Sequence, residues 1–255
     1  MINLKNSVLG LVIVLGLSSQ AAAQNQQSSV YDDCIALANV DPNLAISRAG
    51  QLDLAGTESG WHCQGVALYQ LGRFEEAGDI FAELSNALSN QTSATNLNVE
   101  LIVQAAEAYS NGLGTSNKQQ YDKALAWAKR WSEVEPQNIE SWFLQAELMS
   151  SNGSVDAALI PALQAQSLAK IEQRPRALAV TAGIRLKTGD LVNAQDDLYT
   201  ALELNPNDET SLYVLGHWYW AQGDTKNAKE VWQKLKNVSR EKQWRDLAEQ
   251  ELSRL

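Results

Sequence analysis

Residues 209–235, ETSLYVLGHWYWAQGDTKNAKEVWQKL, decide how the rest of the chain reads. Leu212, Leu215, Gly216 and Tyr219 recur at spacings of three and four, so they share one face of a helix. Gly223-Asp224 breaks that helix. Ala228, Trp232 and Leu235 then share one face of a second helix. A Gly or Ala lets two helices approach closely, and large residues one turn away fill the groove this leaves. The stretch therefore predicts two antiparallel helices packed small against large.

The same order of sizes recurs upstream. Trp61, Gln64, Gly65 and Leu68 precede Leu71-Gly72-Arg73-Phe74, then Ala77, Phe81 and Leu84. Trp142, Gln145, Ala146 and Met149 precede Gly153, Ala158, Ala162 and Ala165, and Leu178, Ala182 and Leu186 precede Gly189, Ala194, Leu198 and Ala201. Gly153, Gly189 and Gly223 lie 36 and 34 residues apart, as do Ala158, Ala194 and Ala228. Leu212-x-x-Leu215-Gly216-x-x-Tyr219 resembles the W-x-x-L-G-x-x-Y pattern of the tetratricopeptide repeat (TPR), whose units are about 34 residues long. The resemblance implies an all-α fold, a right-handed α-solenoid of antiparallel helix hairpins over 30–255. Its clearest repeats span 58–86 and 138–237. Six hairpins are expected, closed by a C-terminal capping helix over 240–255, since a solenoid must cover its last exposed face. Trp244, Leu247, Leu252 and Leu255 supply the apolar side of that cap.

Local signals refine this frame. Asp41-Pro42 opens a helix expected to run to about Leu54, with Asp41 as N-cap and Pro42 in the first helical position. The stretch SNQTSATNLN at 89–98 is polar and turn-rich, and is expected to be the longest break and a hinge. Pro161 falls inside a helix, where it removes a hydrogen bond and should kink it.

The first residues carry an address. Lys5, the apolar run VLGLVIVLGL at 8–17 and Ala21-Ala22-Ala23 together read as a signal peptide over 1–23, ahead of a flexible polar lead at 24–29. An apolar run of about ten residues is short of the ~20 that span a bilayer, so no transmembrane anchor is expected after cleavage. The expected location is the periplasm, with full secretion as the alternative. The formal charge is −10, and loss of Lys5 with the leader makes it −11. That sign argues against nucleic acid, which needs clustered Lys and Arg, and against anionic membrane surfaces. Outside the cytosol two cysteines usually pair, so Cys34 and Cys63 read as a disulfide stapling the N-terminal hairpin to the stack. The other reading is two buried thiols in small-residue slots. No metal site is expected, because His62-Cys63 lacks a second closely spaced pair.

Nothing in the sequence points to catalysis. His62 and His217 are the two histidines, and no H-E-x-x-H, G-x-S-x-G, phosphate-binding loop or dinucleotide fingerprint occurs. No cofactor is expected. Carboxylate pairs such as Glu75-Glu76 sit where they complement helix dipoles and stay solvated. The TPR resemblance implies instead that a peptide or partner protein lies in a concave groove lined by the first helix of each unit. Carried over, the groove positions are Glu140, Phe143, Glu147 and Ser150, then Arg176, Ala179, Gly183 and Leu186, then Thr210, Tyr213, His217 and Trp220. Phe143, Glu147, Arg176, Tyr213, His217 and Trp220 are the candidate binding residues. Two readings of the aromatics stand side by side: Tyr213 and Trp220 anchor a ligand, or they pack under the cap around Trp244. Trp218 and Tyr219 read as core. Asn138 and Asp208, at unit junctions, read as helix caps or as partners for a ligand backbone. The expected function is a non-enzymatic periplasmic scaffold or adaptor, with a chaperone or assembly factor for exported chains as the alternative.

Overall fold

The computed structural model describes residues 30–51, 55–89, 95–113 and 118–255. The expected signal peptide and polar lead lie outside them. Among the described residues there are thirteen α-helices and no strand. They are α1 (30–38), α2 (Pro42–Ala49), α3 (Glu58–Gln70), α4 (Phe74–Leu88), α5 (Thr95–Asn111), α6 (Lys118–Val134) and α7 (Ile139–Ser151). There follow α8 (Val155–Leu168), α9 (Arg174–Thr188), α10 (Leu191–Leu204), α11 (Glu209–Ala221), α12 (Thr225–Val238) and α13 (Lys242–Leu252). The fold class is all-α, of the solenoid type. The chain forms two compact units, one ending at Gln120 and one starting at Tyr121. The expected third hairpin, α5 with α6, is therefore divided between them.

Hairpin turns and helix starts follow from local chemistry. The chain turns at Gly72, Gly153, Gly189 and Gly223 with φ of 73°, 84°, 84° and 77°, a region where a Cβ is disfavoured. The glycine period of the sequence is the period of these turns. Asp41, Thr57, Asn138, Asp190, Asp208 and Asp224 each accept a backbone N–H from the first turn of the helix they precede. Such caps satisfy N–H groups that have no intrahelical partner. Asn138 and Asp208 are thus caps.

In the N-terminal unit, α1, α2 and α3 share a core of small residues: Cys34, Ala38, Ala45, Ala49, Cys63 and Ala67. Cys34 and Cys63 form a disulfide, with Cα atoms 6.1 Å apart. Beside it the Tyr31 hydroxyl lies 2.8 Å from His62 Nδ1, and His62 Nε2 lies 2.9 Å from Gln104 Oε1 of α5. Two expectations change here. The second helix stops at Ala49, not near Leu54, and its cap Gly50 bonds back to Ile46 and Arg48. The break expected at 89–98 is shorter, because α5 begins at Thr95. Helices α4 and α5 pack directly, with a Tyr109 ring carbon 2.8 Å from where a Cβ on Gly78 would stand. Ser85 also donates to Asn98 Oδ1 at 2.6 Å. Asn98 of that stretch serves an interhelical contact, and the boundary between units lies at 120/121 instead. Trp61 stands four residues before Gly65, as Leu212 does before Gly216, yet it is 40% exposed.

In the C-terminal unit the pairing recurs at one offset, small against large in two of three pairs. Ala146 shares a core cluster with Ala162, and Ala182 with Leu198. Trp232 lies over Gly216 so closely that a Cβ there would meet its indole at 2.2 Å. Each pair is 16 residues apart, as are Gly65 and Phe81 in the N-terminal unit, where the Cβ would meet the ring at 2.6 Å. Trp218 is buried, and its indole N–H donates to Leu191 O at 2.8 Å, while Tyr219 is half-buried. Helix α8 runs unbroken through Pro161. The buried ring gains packing that offsets the lost N–H. Helix α13 caps the unit, Ala248 packing on Leu212 and Leu235 beside Trp244 and Tyr213.

Candidate functional site

Helices α7, α9 and α11 are the first helices of their hairpins, and their unpacked faces line a groove of about 690 Å³. One wall is Phe143, Glu147 and Ser150 of α7; the other is Tyr213, His217 and Trp220 of α11. Val180, Gly183 and Ile184 of α9 form the floor, with Arg176 and Lys187 at its two ends. Helical periodicity explains the alignment. Residues 143, 147 and 150, and residues 213, 217 and 220, follow i, i+4, i+7 and so stand on one face.

The groove has an apolar body and a charged rim. Arg176 donates two parallel bonds to Glu140, at 2.6 and 2.9 Å, and its guanidinium carbon lies 4.8 Å from the Phe143 ring centre. The fork holds Arg176 over Phe143, which is only 6% exposed. The Lys187 ammonium donates to Ser150 Oγ at 2.8 Å. On the opposite wall His217 is boxed by aromatic rings, with centroids 4.6 Å from Tyr213, 5.1 Å from Trp232 and 6.4 Å from Trp220. The capping helix reaches the same place. Glu251 accepts two bonds from Arg254 at 2.9 Å, and one at 3.4 Å from the Tyr213 hydroxyl. Its Oε1 lies 3.9 Å from His217 Nε2. Burial pushes the His217 pKa below its ordinary value, with Arg254 adding to the effect and Glu251 opposing it. His217 is therefore a neutral ring at neutral pH, able to donate one hydrogen bond and accept one. Burial, followed by Glu251, pushes the Tyr213 phenol up.

All six candidate residues, Phe143, Glu147, Arg176, Tyr213, His217 and Trp220, stand along this one groove, with Ser150, Gly183 and Leu186. Ala179 does not; it is buried in the α9–α10–α11 core. Glu140 and Thr210 also lie off the lining, Glu140 being the anchor for Arg176. The two readings of the aromatics divide. Tyr213 packs against Trp244 of the cap, ring centres 5.9 Å apart, and still borders the groove. Trp220 is 51% exposed. Val180, Ile184, Val214 and Lys187 were not foreseen as lining. Val180, Ile184, Lys187 and Val214 each stand one position past an expected groove residue, and that step was the available signal.

Among the described residues, no group of three His, Cys, Asp or Glu side chains is placed to hold a metal ion. No described helix is long and apolar enough to cross a membrane.

No protein-family model and no curated protein matches the sequence. Solved structures do match. YrrB, described as a TPR protein with an unusual peptide-binding site, superposes with a TM-score of 0.55 at 16% identity, over 76% of this chain and 95% of that one. MamA from Desulfovibrio magneticus RS-1 gives 0.52 at 14% identity, over 72% of this chain and 96% of that one. Yeast Tom70 gives 0.53 at 18% identity, over 82% of this chain and 42% of that one. At such identities the likeness is one of fold. Together with the glycine turns and the small-against-large pairs at a fixed offset, it shows that the chain has the fold of the tetratricopeptide-repeat family.

Proposed function

We propose that this chain is a non-enzymatic scaffold or adaptor that holds a peptide or partner protein in the α7–α9–α11 groove, and that it works in the periplasm. The observation that carries the reading is the groove itself: about 690 Å³, apolar within, charged at the rim, with Trp220 exposed at its edge. Exposed aromatics beside a concave apolar surface are the usual anchors of an interface. YrrB, of the same fold, is described as having a peptide-binding site. The signal-peptide pattern at 1–23 and the buried Cys34–Cys63 disulfide support an oxidising, extracytoplasmic compartment; full secretion is the alternative address.

Affinity capture from periplasmic extract with the mature chain and with Trp220→Ala tests this. The expected result is a partner whose capture falls about tenfold with Trp220→Ala, at unchanged helicity by circular dichroism. Unchanged capture would overturn the groove reading. The largely apolar lining also favours the chaperone reading, in which many unfolded exported chains are captured weakly; a scaffold captures one partner tightly.

A further inference from the structure

Three helix-interior glycines have a visible reason. A Cβ on Gly65, Gly78 or Gly216 would meet an aromatic ring of the next helix at 2.6, 2.8 or 2.2 Å. Gly183 differs. The nearest atom to a Cβ there is a Val214 methyl at 3.7 Å, an ordinary contact. Its φ is not positive, since it is not among the positive-φ glycines of the chain. Neither packing nor backbone requires glycine, although glycine weakens a helix relative to alanine. What Gly183 does is leave space. It occupies the repeat position of Glu147 and His217, 36 residues after one and 34 before the other. Those two side chains project from the walls of the groove, and between them Gly183 projects nothing.

The hollow has defined surroundings. Val180 and Ile184 flank it on the floor, and Phe143 and Trp220 stand on either side. Lys187, one turn along the same helix face, donates only to the Ser150 hydroxyl, and among the described residues it has no ion-pair partner. Arg176, by contrast, is already matched by Glu140. The free positive charge of the groove is therefore next to the hollow.

We infer that Gly183 is the specificity-determining residue of the groove: the hollow above it takes one bulky apolar side chain of an extended peptide, and Lys187 takes an acidic residue beside that anchor. This rests on the groove being the binding site, as proposed above.

A random dodecapeptide library displayed on phage, selected on the purified full chain, supplies the probe. Selected peptides, synthesised and measured by calorimetry, are expected to share a Trp, Phe, Leu or Met next to Asp or Glu. Gly183→Leu should weaken them about tenfold or more, with helicity retained. Gly183→Ala, whose methyl the site accommodates, should raise the melting temperature and weaken binding less. Replacing the peptide anchor by Ala should cost wild type as much and add little in Gly183→Leu. Lys187→Gln should weaken the acidic peptides and not their amide counterparts. Peptides that lose binding with Trp220→Ala but not with Gly183→Leu would overturn the pocket and leave the groove standing. Lowered melting with Gly183→Ala would also overturn it, because the fold would then explain the glycine. Selection of no peptide that Trp220→Ala weakens would overturn the groove reading and this one with it.

Discussion

At the N-terminal end, α1 and α2 bury Cys34, Ala38, Ala45 and Ala49 against Cys63 and Ala67. At the C-terminal end, α13 covers Leu212 and Leu235, with Trp244 and Tyr213 packed alongside. Side chains of one carbon bury little apolar surface, and each further methylene adds about 0.8 kcal/mol. Val30, Ile35, Leu37, Ile46 and Val66 pack around this core while only partly buried, and a disulfide with a part-buried Tyr31–His62–Gln104 chain supplements it. The C-terminal cap has large side chains and needs no covalent link. The same repeat slot records the difference: Leu212 is 1% exposed and Trp61 is 40% exposed. Both ends rest on apolar packing, and the N-terminal one adds a covalent link.

The largest test of that contrast is to cut the staple. Cys34→Ala with Cys63→Ala opens a loop of 29 residues, and in the chain-entropy model this removes about 3–4 kcal/mol. Hydrogen exchange should show α1 and α2 losing protection while α12 and α13 keep theirs. Equal protection with and without the bond would mean that the alanine core suffices. The converse variant, Trp244→Ala, should destabilise α13 by about 3 kcal/mol, the low end for Trp truncation because the ring is half-buried. Its effect on α13 exchange should be the same with or without reductant. The smallest expected effect is on pH. The folded-state pKa of His217 is depressed, chiefly by burial, so its contribution to stability is complete above the ordinary histidine pKa. It is lost as pH falls from there toward the lower folded value. Acid should thus weaken the packing around His217, seen as a shift in Trp emission that His217→Gln flattens.

Much of this architecture was readable from residues, because size order and turn chemistry are local. The glycine turns, the Asp41 cap and the cap around Trp244 all follow from short-range patterns. What was not readable depends on neighbours in space. The stretch at 89–98 looked like a break, yet Asn98 partners Ser85 and α5 begins at Thr95. Ala179 sits at a groove position by count, but α10 and α11 enclose it. Arg176 was placed in the groove, whereas its fork to Glu140, 36 residues earlier, requires knowing which helices lie side by side. The readings over 1–29 fall outside the described residues.

The pairs at offset 16 have a consequence for how such a chain changes. Gly65–Phe81, Ala146–Ala162, Ala182–Leu198 and Gly216–Trp232 fill one site with four combinations of volume. Neither position carries a fixed letter, and what suits one depends on its partner, as Gly216 beside Trp232 shows. Single replacements are therefore poor guides to tolerance: Gly216→Ala alone drives a methyl into the Trp232 indole. Made together with Trp232→Leu, it rebuilds the Ala–Leu pair that already joins α9 to α10. Hairpins of this kind behave as interchangeable parts whose specification is written in coupled positions. A position-by-position comparison sees little of that specification, and a comparison of backbones sees most of it.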